Sequence, residues 1–113
     1  MDEVRRHLPL SPQQFHILLA LADADRHGYG ILLEIAERTG GAMRLGTGTL
    51  YTAVAGLVDD GLIAEAAPPR GERGERRKYY RLSPLGLRVL SAETTRLESL
   101  VRHARQKGIQ SAW

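Results

Sequence analysis

The sequence predicts a mainly α-helical domain with one β-hairpin, and three observations support this fold class. Apolar residues recur every three to four positions in four separate segments, which is typical of amphipathic helices. Two short segments, 62–66 and 78–82, have the composition of strands and flank a polar loop rich in glycine and proline. The chain has 113 residues, 42% of them hydrophobic, which indicates one folded domain with a core.

The first two helices are predicted from their end signals. Ser11 precedes Pro12, and Gln14 follows, so the serine and glutamine side chains can form a capping box at a helix start. This helix is expected to end near Asp25. A second helix is predicted from about Tyr29 to Arg38, and the two glycines that follow it favour termination there, because glycine adopts the left-handed conformation of a helix end.

A third helix is predicted from Thr47 or Gly48 to the acidic pair before Gly61. Its buried side is expected to consist of four residues with helical spacing, Leu50, Val54, Leu57 and Val58. The next segments, 62–66 and 78–82, are predicted to form two antiparallel strands. One isolated hairpin is at best marginally stable, so these strands are expected to pack against the helices.

The last predicted helix runs from Pro84 to about Lys107 and begins after Ser83, which suits a helix cap. Its apolar stripe is longer than a small domain can cover, which favours burial against a second subunit. A helix that lies across its own domain is the alternative. The residues predicted to form the dimer contact are Leu90, Leu97, Leu100, Val101 and Ala104.

Three helices followed by a hairpin are the arrangement of a winged helix-turn-helix domain, in which the helix before the wing enters the major groove of DNA. We therefore predict a mainly α winged helix-turn-helix that dimerises through a long C-terminal helix. Residues 1–82 are expected to form the DNA-binding part, and residues 83–113 the dimerisation helix, as one compact unit.

The exposed side of the third helix has the composition of a DNA-contacting surface. Thr49, Thr52 and Gly56 lie opposite its buried residues, and Tyr51 lies at the margin. Threonine hydroxyls can bond bases or phosphates, and the helix amides that begin at Thr47 can bind a phosphate. Acidic residues occur only at the far end of this helix.

Basic residues are concentrated in the second half of the chain. Residues 1–60 carry five basic and eight acidic groups, a balance of −3, whereas residues 61–113 carry eleven basic and five acidic groups, a balance of +6. Such an accumulation is typical of nucleic-acid binding, although a solvated loop gives the same pattern. The basic residues expected to contact DNA from the wing are Arg70, Arg73, Arg76, Arg77 and Lys78. Tyr79 and Tyr80 are expected to point to opposite faces of a strand, so that one packs inward and the other can reach a phosphate.

Several short strings in this order resemble the PadR family of bacterial transcriptional regulators, and the resemblance covers roughly residues 8–107. These strings are His27-Gly28-Tyr29-Gly30, Gly48-Thr49-Leu50-Tyr51, Gly61-Leu62-Ile63, Arg77-Lys78-Tyr79-Tyr80-Arg81-Leu82-Ser83 and Gly86. The resemblance implies a compact, MarR-like winged-helix repressor whose C-terminal helix forms the homodimer. It also implies binding to a palindromic operator on double-stranded DNA and, in some members, release by a small aromatic or hydrophobic effector.

The resemblance also assigns roles to individual positions. The recognition helix corresponds to residues 47–60 and the wing to residues 67–78. Tyr51 matches a tyrosine of the family's recognition helix, and Arg77, Lys78 and Tyr79 match its basic-aromatic wing strand. Thr52-Ala53 differ from the proline or other distinct residue that many relatives have there, so an operator sequence does not carry over.

Other functions receive less support from the sequence. The chain has no cysteine, and His7, His16, His27 and His103 lack metal-ligand spacing, so neither a cofactor nor an enzyme is predicted. No secretory signal or membrane-spanning stretch is visible, so a cytoplasmic location is expected. Two alternatives remain, a winged helix that contacts another protein and a DNA-binding protein without sequence preference.

Overall fold

A computed structural model of the chain describes residues 2–69 and 77–110. Within these ranges, no helix has the length and apolar character needed to cross a membrane. The elements, in chain order, are α1 (Asp2–Arg5), α2 (Pro12–Ala20), β1 (Arg26–His27), α3 (Gly28–Arg38), α4 (Thr47–Asp59), β2 (Ile63–Ala66), β3 (Tyr79–Leu82) and α5 (Pro84–Gln106). The predicted mainly helical winged fold is confirmed, although α1 and β1 were not predicted.

The start of α2 is confirmed, but its predicted end near Asp25 is wrong. The Ser11 hydroxyl accepts a hydrogen bond from the Gln14 amide at 3.1 Å, and the Gln14 side chain accepts one from the Ser11 amide at 2.9 Å. The helix ends at Ala20, whose carbonyl accepts a hydrogen bond from Nε of Arg26 at 2.7 Å. The residues after Ala20 lead to Arg26, which also pairs with Tyr80 in the sheet.

The sheet has three antiparallel strands in the order β1-β3-β2, instead of the predicted two. The predicted hairpin is present, with Ile63 opposite Leu82 and Ala66 opposite Tyr79. On the other edge of β3, Arg26 pairs with Tyr80 and His27 pairs with Tyr79. The base of the wing is therefore joined directly to the residues that precede α3.

One hydrophobic core connects the helices to the sheet. As predicted, α4 buries Leu50, Val54 and Leu57, while Val58 is only partly buried. The other fully buried large apolar side chains come from α2, α3, the segment around β2 and α5, and are Ile17, Leu18, Ile31, Ile35, Leu62, Ile63 and Val89. Helix α4 is thus anchored by the same core that supports the wing.

Near its start, helix α5 packs at Gly86 against the backbone of Leu62, the residue before β2. A Cβ atom at Gly86 would lie only 1.9 Å from the Leu62 carbonyl oxygen, so glycine is required by this close approach. That carbonyl also accepts a hydrogen bond from the Ser83 amide at 3.0 Å, and the Ser83 hydroxyl caps α5 by accepting from the Gly86 amide at 2.9 Å. The start of the long helix is thereby fixed to the wing.

The apolar stripe of α5 is divided between the domain's own core and its surface. Leu90 is 6% exposed and packs in the core, so its predicted role in a dimer contact is wrong. Leu97 and Ala104 are partly buried, whereas Leu100 and Val101 are each 49% exposed. Spacing alone does not distinguish the two parts, because the same stripe continues past the point where α1 and α2 cover it.

A buried carboxylate attaches α5 to the chain before α2. Glu93 is 1% exposed, and its Oε2 atom accepts a hydrogen bond from the Leu10 amide at 2.9 Å. Arg96, one turn further along α5, donates to both carboxylate oxygens of Glu93. The Arg96 guanidinium is the main reason why the pKa of Glu93 lies below its usual value, despite burial, which acts in the opposite direction.

We expect Glu93→Gln to lower the free energy of unfolding at neutral pH by about 2 kcal/mol, because charge-assisted hydrogen bonds are lost inside the core. The stabilisation by ionised Glu93 is complete above the pKa of the unfolded side chain, about 4.3. It is lost as the pH falls through the lower folded pKa.

Urea unfolding of both proteins between pH 7 and pH 3 measures this effect. The difference between them should shrink towards acid pH. Glu37→Gln, a change at an exposed glutamate of α3, is the control and should leave stability almost unchanged. A constant difference across the pH range would contradict the assigned role of Glu93.

Candidate nucleic-acid interface

The N-terminal half of α4 presents small and hydroxyl-bearing residues to solvent, as predicted. Thr47, Thr49, Tyr51 and Thr52 are all exposed, and the two acidic residues of the helix end, 59 and 60, lie at the opposite end. The helix is 13 residues long, so its ends are about 18 Å apart. The first two turns therefore carry no acidic residue, although Asp60 lines the groove that also contains Thr49 and Thr52.

The start of α2 lies beside this face and adds a polar side chain that sequence reasoning missed. A groove of about 680 Å³ separates the two helices and is lined by Gln13, Gln14, Thr49, Thr52 and Gly56, among others. Gln14 already caps α2, whereas Gln13 is exposed. A glutamine can bond N6 and N7 on the major-groove edge of an adenine, but no spacing in the sequence relates Gln13 to α4.

Tyr51 is positioned by a glycine on the neighbouring helix. Its ring is 47% exposed, and its hydroxyl lies against Gly28, the first residue of α3. A Cβ atom at position 28 would lie 2.4 Å from the Tyr51 hydroxyl oxygen and 2.7 Å from the adjacent ring carbon. The absence of a side chain at Gly28 therefore allows Tyr51 to connect α4 with the start of α3.

His27 connects α3 with the base of the wing. Its Nδ1 atom accepts a hydrogen bond from the Gly30 amide at 2.9 Å and so caps α3, and its Nε2 atom lies 2.9 Å from Nη1 of Arg77. The ring also meets Tyr79 edge to face, with ring centroids 5.2 Å apart. The hydrogen bond at the start of α3 is the role that the sequence indicates for a histidine in this turn, whereas the contacts with Arg77 and Tyr79 were not predicted.

The two wing tyrosines do not divide into one inward and one outward residue. Tyr79 is 5% exposed and Tyr80 is 7% exposed. The expectation that one of them faces outward is wrong because β1 extends the sheet and His27 covers Tyr79. Burial raises the pKa of the Tyr80 hydroxyl, with a further contribution from Glu65, so this group stays protonated at neutral pH.

Of the basic wing residues predicted to contact DNA, Arg70, Arg73 and Arg76 lie outside the described residues. Arg77 and Lys78 are exposed and come just before β3. Lys78 lies 3.7 Å from the Glu65 carboxylate across the hairpin, with both side chains more than half exposed. Such a surface pair contributes little to stability, so Lys78 is available to another anion.

The histidines take part in no metal-ligand cluster within the described residues. Nowhere in ranges 2–69 and 77–110 do three His, Asp or Glu side chains come together as metal ligands. His16 contacts Arg38, which is paired with Glu34, and burial together with the Arg38 charge lowers the His16 pKa. These contacts join α2 to α3 and indicate a structural role.

The contact between Tyr51 and Gly28 predicts that Gly28→Ala destabilises the natural protein but stabilises the Tyr51→Ala variant. In the natural background the added methyl group must displace the Tyr51 ring, and stability should fall by up to about 1 kcal/mol, since the half-exposed ring can move aside. In a Tyr51→Ala background the same change should raise stability by about 0.4–1 kcal/mol, because alanine restricts the unfolded chain and Gly28 has no positive φ.

Thermal or urea unfolding of the four proteins measures this coupling. The same effect of Gly28→Ala in both backgrounds would show that Tyr51 does not occupy the space above Gly28.

Known proteins resemble this chain in sequence. A family model described as the transcriptional regulator PadR-like family matches residues 17–92. An uncharacterised protein X of Lysinibacillus sphaericus is 37% identical over 90 residues, which make up 80% of this chain and 77% of that protein.

Solved structures resemble it in fold as well. A transcriptional regulator of Clostridium thermocellum is 27% identical with a TM-score of 0.71, and the match covers 96% of each chain. A PadR family regulator of Clostridium difficile is 26% identical with a TM-score of 0.74, covering 85% of this chain and 97% of that one. Bacillus subtilis PadR, solved in complex with operator DNA, is 25% identical with a TM-score of 0.59, covering 70% of this chain and 44% of that one. This chain therefore belongs to the PadR-like family of transcriptional regulators.

Proposed function

We propose that this chain is a sequence-specific DNA-binding regulator that acts as a homodimeric repressor on a palindromic operator in the cytoplasm. The observation that carries the proposal is the exposed, acid-free first half of α4 beside the basic base of the wing. The structure of B. subtilis PadR with its operator supports the choice of double-stranded DNA as partner. Residues 1–82 would supply the DNA contacts, and residues 83–113 the dimer contact.

The proposed contacts divide into two kinds. Thr49 and Thr52, with Gln13 beside them, would face base edges in the major groove and supply sequence preference. Thr47, Arg77 and Lys78 would contact phosphates, and the predicted wing residues Arg70, Arg73 and Arg76 would add to this electrostatic attraction. Tyr51 and Tyr79 would act by positioning, because the first is held over Gly28 and the second is buried.

The proposed dimer contact is an apolar groove of about 760 Å³ between α2 and α5. It is lined by Phe15, Thr94, Leu97, Glu98, Val101, Arg102, Arg105 and Gln106. Its rim carries one acidic and two basic residues of α5, which allows pairing with the same helix of a second copy around a two-fold axis. We propose that Leu97, Leu100, Val101 and Ala104 are covered in this way, and that a small aromatic or hydrophobic effector, where one acts, binds along the same groove.

A dimer would place two copies of α4 in successive major grooves, about 34 Å apart. A duplex selected from a random library by the purified protein should therefore contain an inverted repeat with this spacing. Thr52→Ala should reduce discrimination at one base step of each half-site by about 1–3 kcal/mol, because a hydroxyl and a methyl group that contact the base are lost.

Affinities for the selected duplex and its single-base variants measure this loss. Thr95→Ala, at an exposed threonine of α5 that does not line the groove, is the control. An unchanged preference in the Thr52 variant would remove this residue from base recognition, and equal affinity of the natural protein for all duplexes would favour binding without sequence preference.

The dimer proposal predicts that Leu97→Glu yields monomers, because a charge would be buried in an apolar contact without a partner. Leu87→Glu is the matched control, since Leu87 is a leucine of the same helix that is 53% exposed and lies outside the groove. Light scattering at micromolar concentration measures the mass of each variant. A dimer that survives Leu97→Glu, or one that is lost with Leu87→Glu, would contradict the assigned interface.

A further inference from the structure

The groove of about 680 Å³ between α2 and α4, named here the α2–α4 groove, has two chemically different walls. Hydroxyl and carboxamide side chains at the start of α2 form one wall, at Ser11, Gln13 and Gln14. Small residues of α4 form the other wall, at Gly48, Thr49, Thr52, Ala53 and Gly56. A Cβ atom at Gly48 or Gly56 would meet no atom within 4 Å, so the space along the α4 wall is open.

Gln13 presents a free carboxamide to this groove. The other two polar residues of its wall are used in the helix cap, because the Ser11 hydroxyl accepts from the Gln14 amide at 3.1 Å and Oε1 of Gln14 accepts from the Ser11 amide at 2.9 Å. Within residues 2–69 and 77–110, the exposed Gln13 side chain takes part in no hydrogen bond. The cap holds the backbone around Gln13 in place, so its side chain extends from a fixed point beside α4.

The charge of the α2–α4 groove favours the edge of a base over a phosphate group. Among the described residues, its lining contains no lysine or arginine and one carboxylate, that of Asp60. A carboxylate repels a phosphate, whereas it attracts the amino groups that adenine and cytosine present in the major groove. Arg77 and Lys78, to which the proposed function assigns phosphate contacts, lie outside this lining.

An A·T pair matches the two walls better than a G·C pair does. In the major groove, adenine presents its N6 amino group and its N7 acceptor, which a glutamine carboxamide binds with two hydrogen bonds. The thymine of the same pair presents a methyl group, which the methyl group of a threonine can contact. Guanine presents two acceptors, O6 and N7, and so leaves the carbonyl oxygen of Gln13 without a donor.

We propose that Gln13 determines specificity by binding N6 and N7 of an adenine, while Thr52, across the α2–α4 groove, contacts the paired thymine. This inference rests on the proposed function and deepens it, because it names the base pair and adds a second helix, α2, to the elements that read each half-site. Helices α2 and α4 pack in one hydrophobic core, so the separation of the two side chains is set by the fold.

Gln13→Ala removes both hydrogen bonds to the adenine. The natural protein should bind its selected duplex about tenfold or more tightly than a duplex in which one A·T pair of each half-site is replaced by G·C, and the variant should lose most of this difference. The pair concerned should be the same as, or adjacent to, the one at which Thr52→Ala loses discrimination. The Tm should be almost unchanged, because the exposed side chain makes no hydrogen bond that could be lost.

Gln13→Glu should change the preferred base instead of removing the preference. A glutamate accepts from the N4 amino group of cytosine but does not donate to N7 of adenine, so the preference at that position should change from adenine to cytosine. An acidic residue in the first turn of α2 interacts favourably with the helix dipole, so the Tm should stay the same or rise. Gln110→Glu is the matched control, because Gln110 is an exposed glutamine outside the α2–α4 groove, and it should keep the adenine preference.

Affinities of the natural protein and the three variants for the selected duplex and its single-base variants test the proposal, and light scattering gives the mass of each protein. Loss of the adenine preference in Gln13→Ala, together with the change to cytosine in Gln13→Glu, supports the proposal. An unchanged base preference in both Gln13 variants overturns the assignment of Gln13 and leaves the proposed function intact.

Three other results also overturn the assignment. An equal loss of affinity for all duplexes would show that Gln13 contacts the DNA backbone and not a base. A changed mass of the Gln13 variants would show that the groove contacts a second copy of the protein. A natural protein that binds all duplexes equally would overturn both the proposed sequence-specific function and this inference.

Discussion

The pairing of the two-residue strand β1 with β3 is the constraint on which the candidate interface depends. Arg26 and His27 pair with Tyr80 and Tyr79 in the sheet, so the chain that enters α3 is fixed to the base of the wing. The His27 ring then caps α3 and packs against Tyr79. Because Tyr51 rests on the first residue of α3, helix α4 is joined to the same point. Two pairs of cross-strand residues thus orient α4 and the wing relative to each other.

A buried carboxylate has the corresponding role at the other end of the domain. Glu93 binds the Leu10 amide and Arg96, and this holds α5 beside the chain that enters α2. The groove between Phe15 and Leu97 exists because these two helices are held at this separation. In a dimer formed through that groove, the spacing of the two recognition helices would depend on Glu93 as well. The polar contacts of the core therefore control geometry at both ends of the molecule.

Much of the fold was predictable, because the helix ends carry explicit chemical signals. The capping box at Ser11, the Ser83-Pro84 start and the apolar spacing of α4 each predicted an element that the structure contains. Strand β1 was not predictable, since two residues have no periodicity and their pairing with β3 is a long-range contact. Leu90 was misassigned because spacing does not reveal where the core ends.

The site was predictable at the level of residue types and less so in its geometry. The exposed threonines of α4 follow from helical periodicity, and the basic character of the wing follows from composition. Both wing tyrosines are buried, and Tyr51 contacts Gly28, because strand β1 pairs with β3. Neither feature could be inferred from the local sequence pattern.

We propose that the first half of α4, the start of α3 and the base of the wing form a single DNA-contacting face. Mapping backbone amide shifts by NMR while a short duplex is added tests for this face. We expect the largest changes in residues 27–30, 47–56 and 77–80, and little change in residues 97–106 of α5. Changes concentrated on α5, or spread without relation to these three segments, would contradict it.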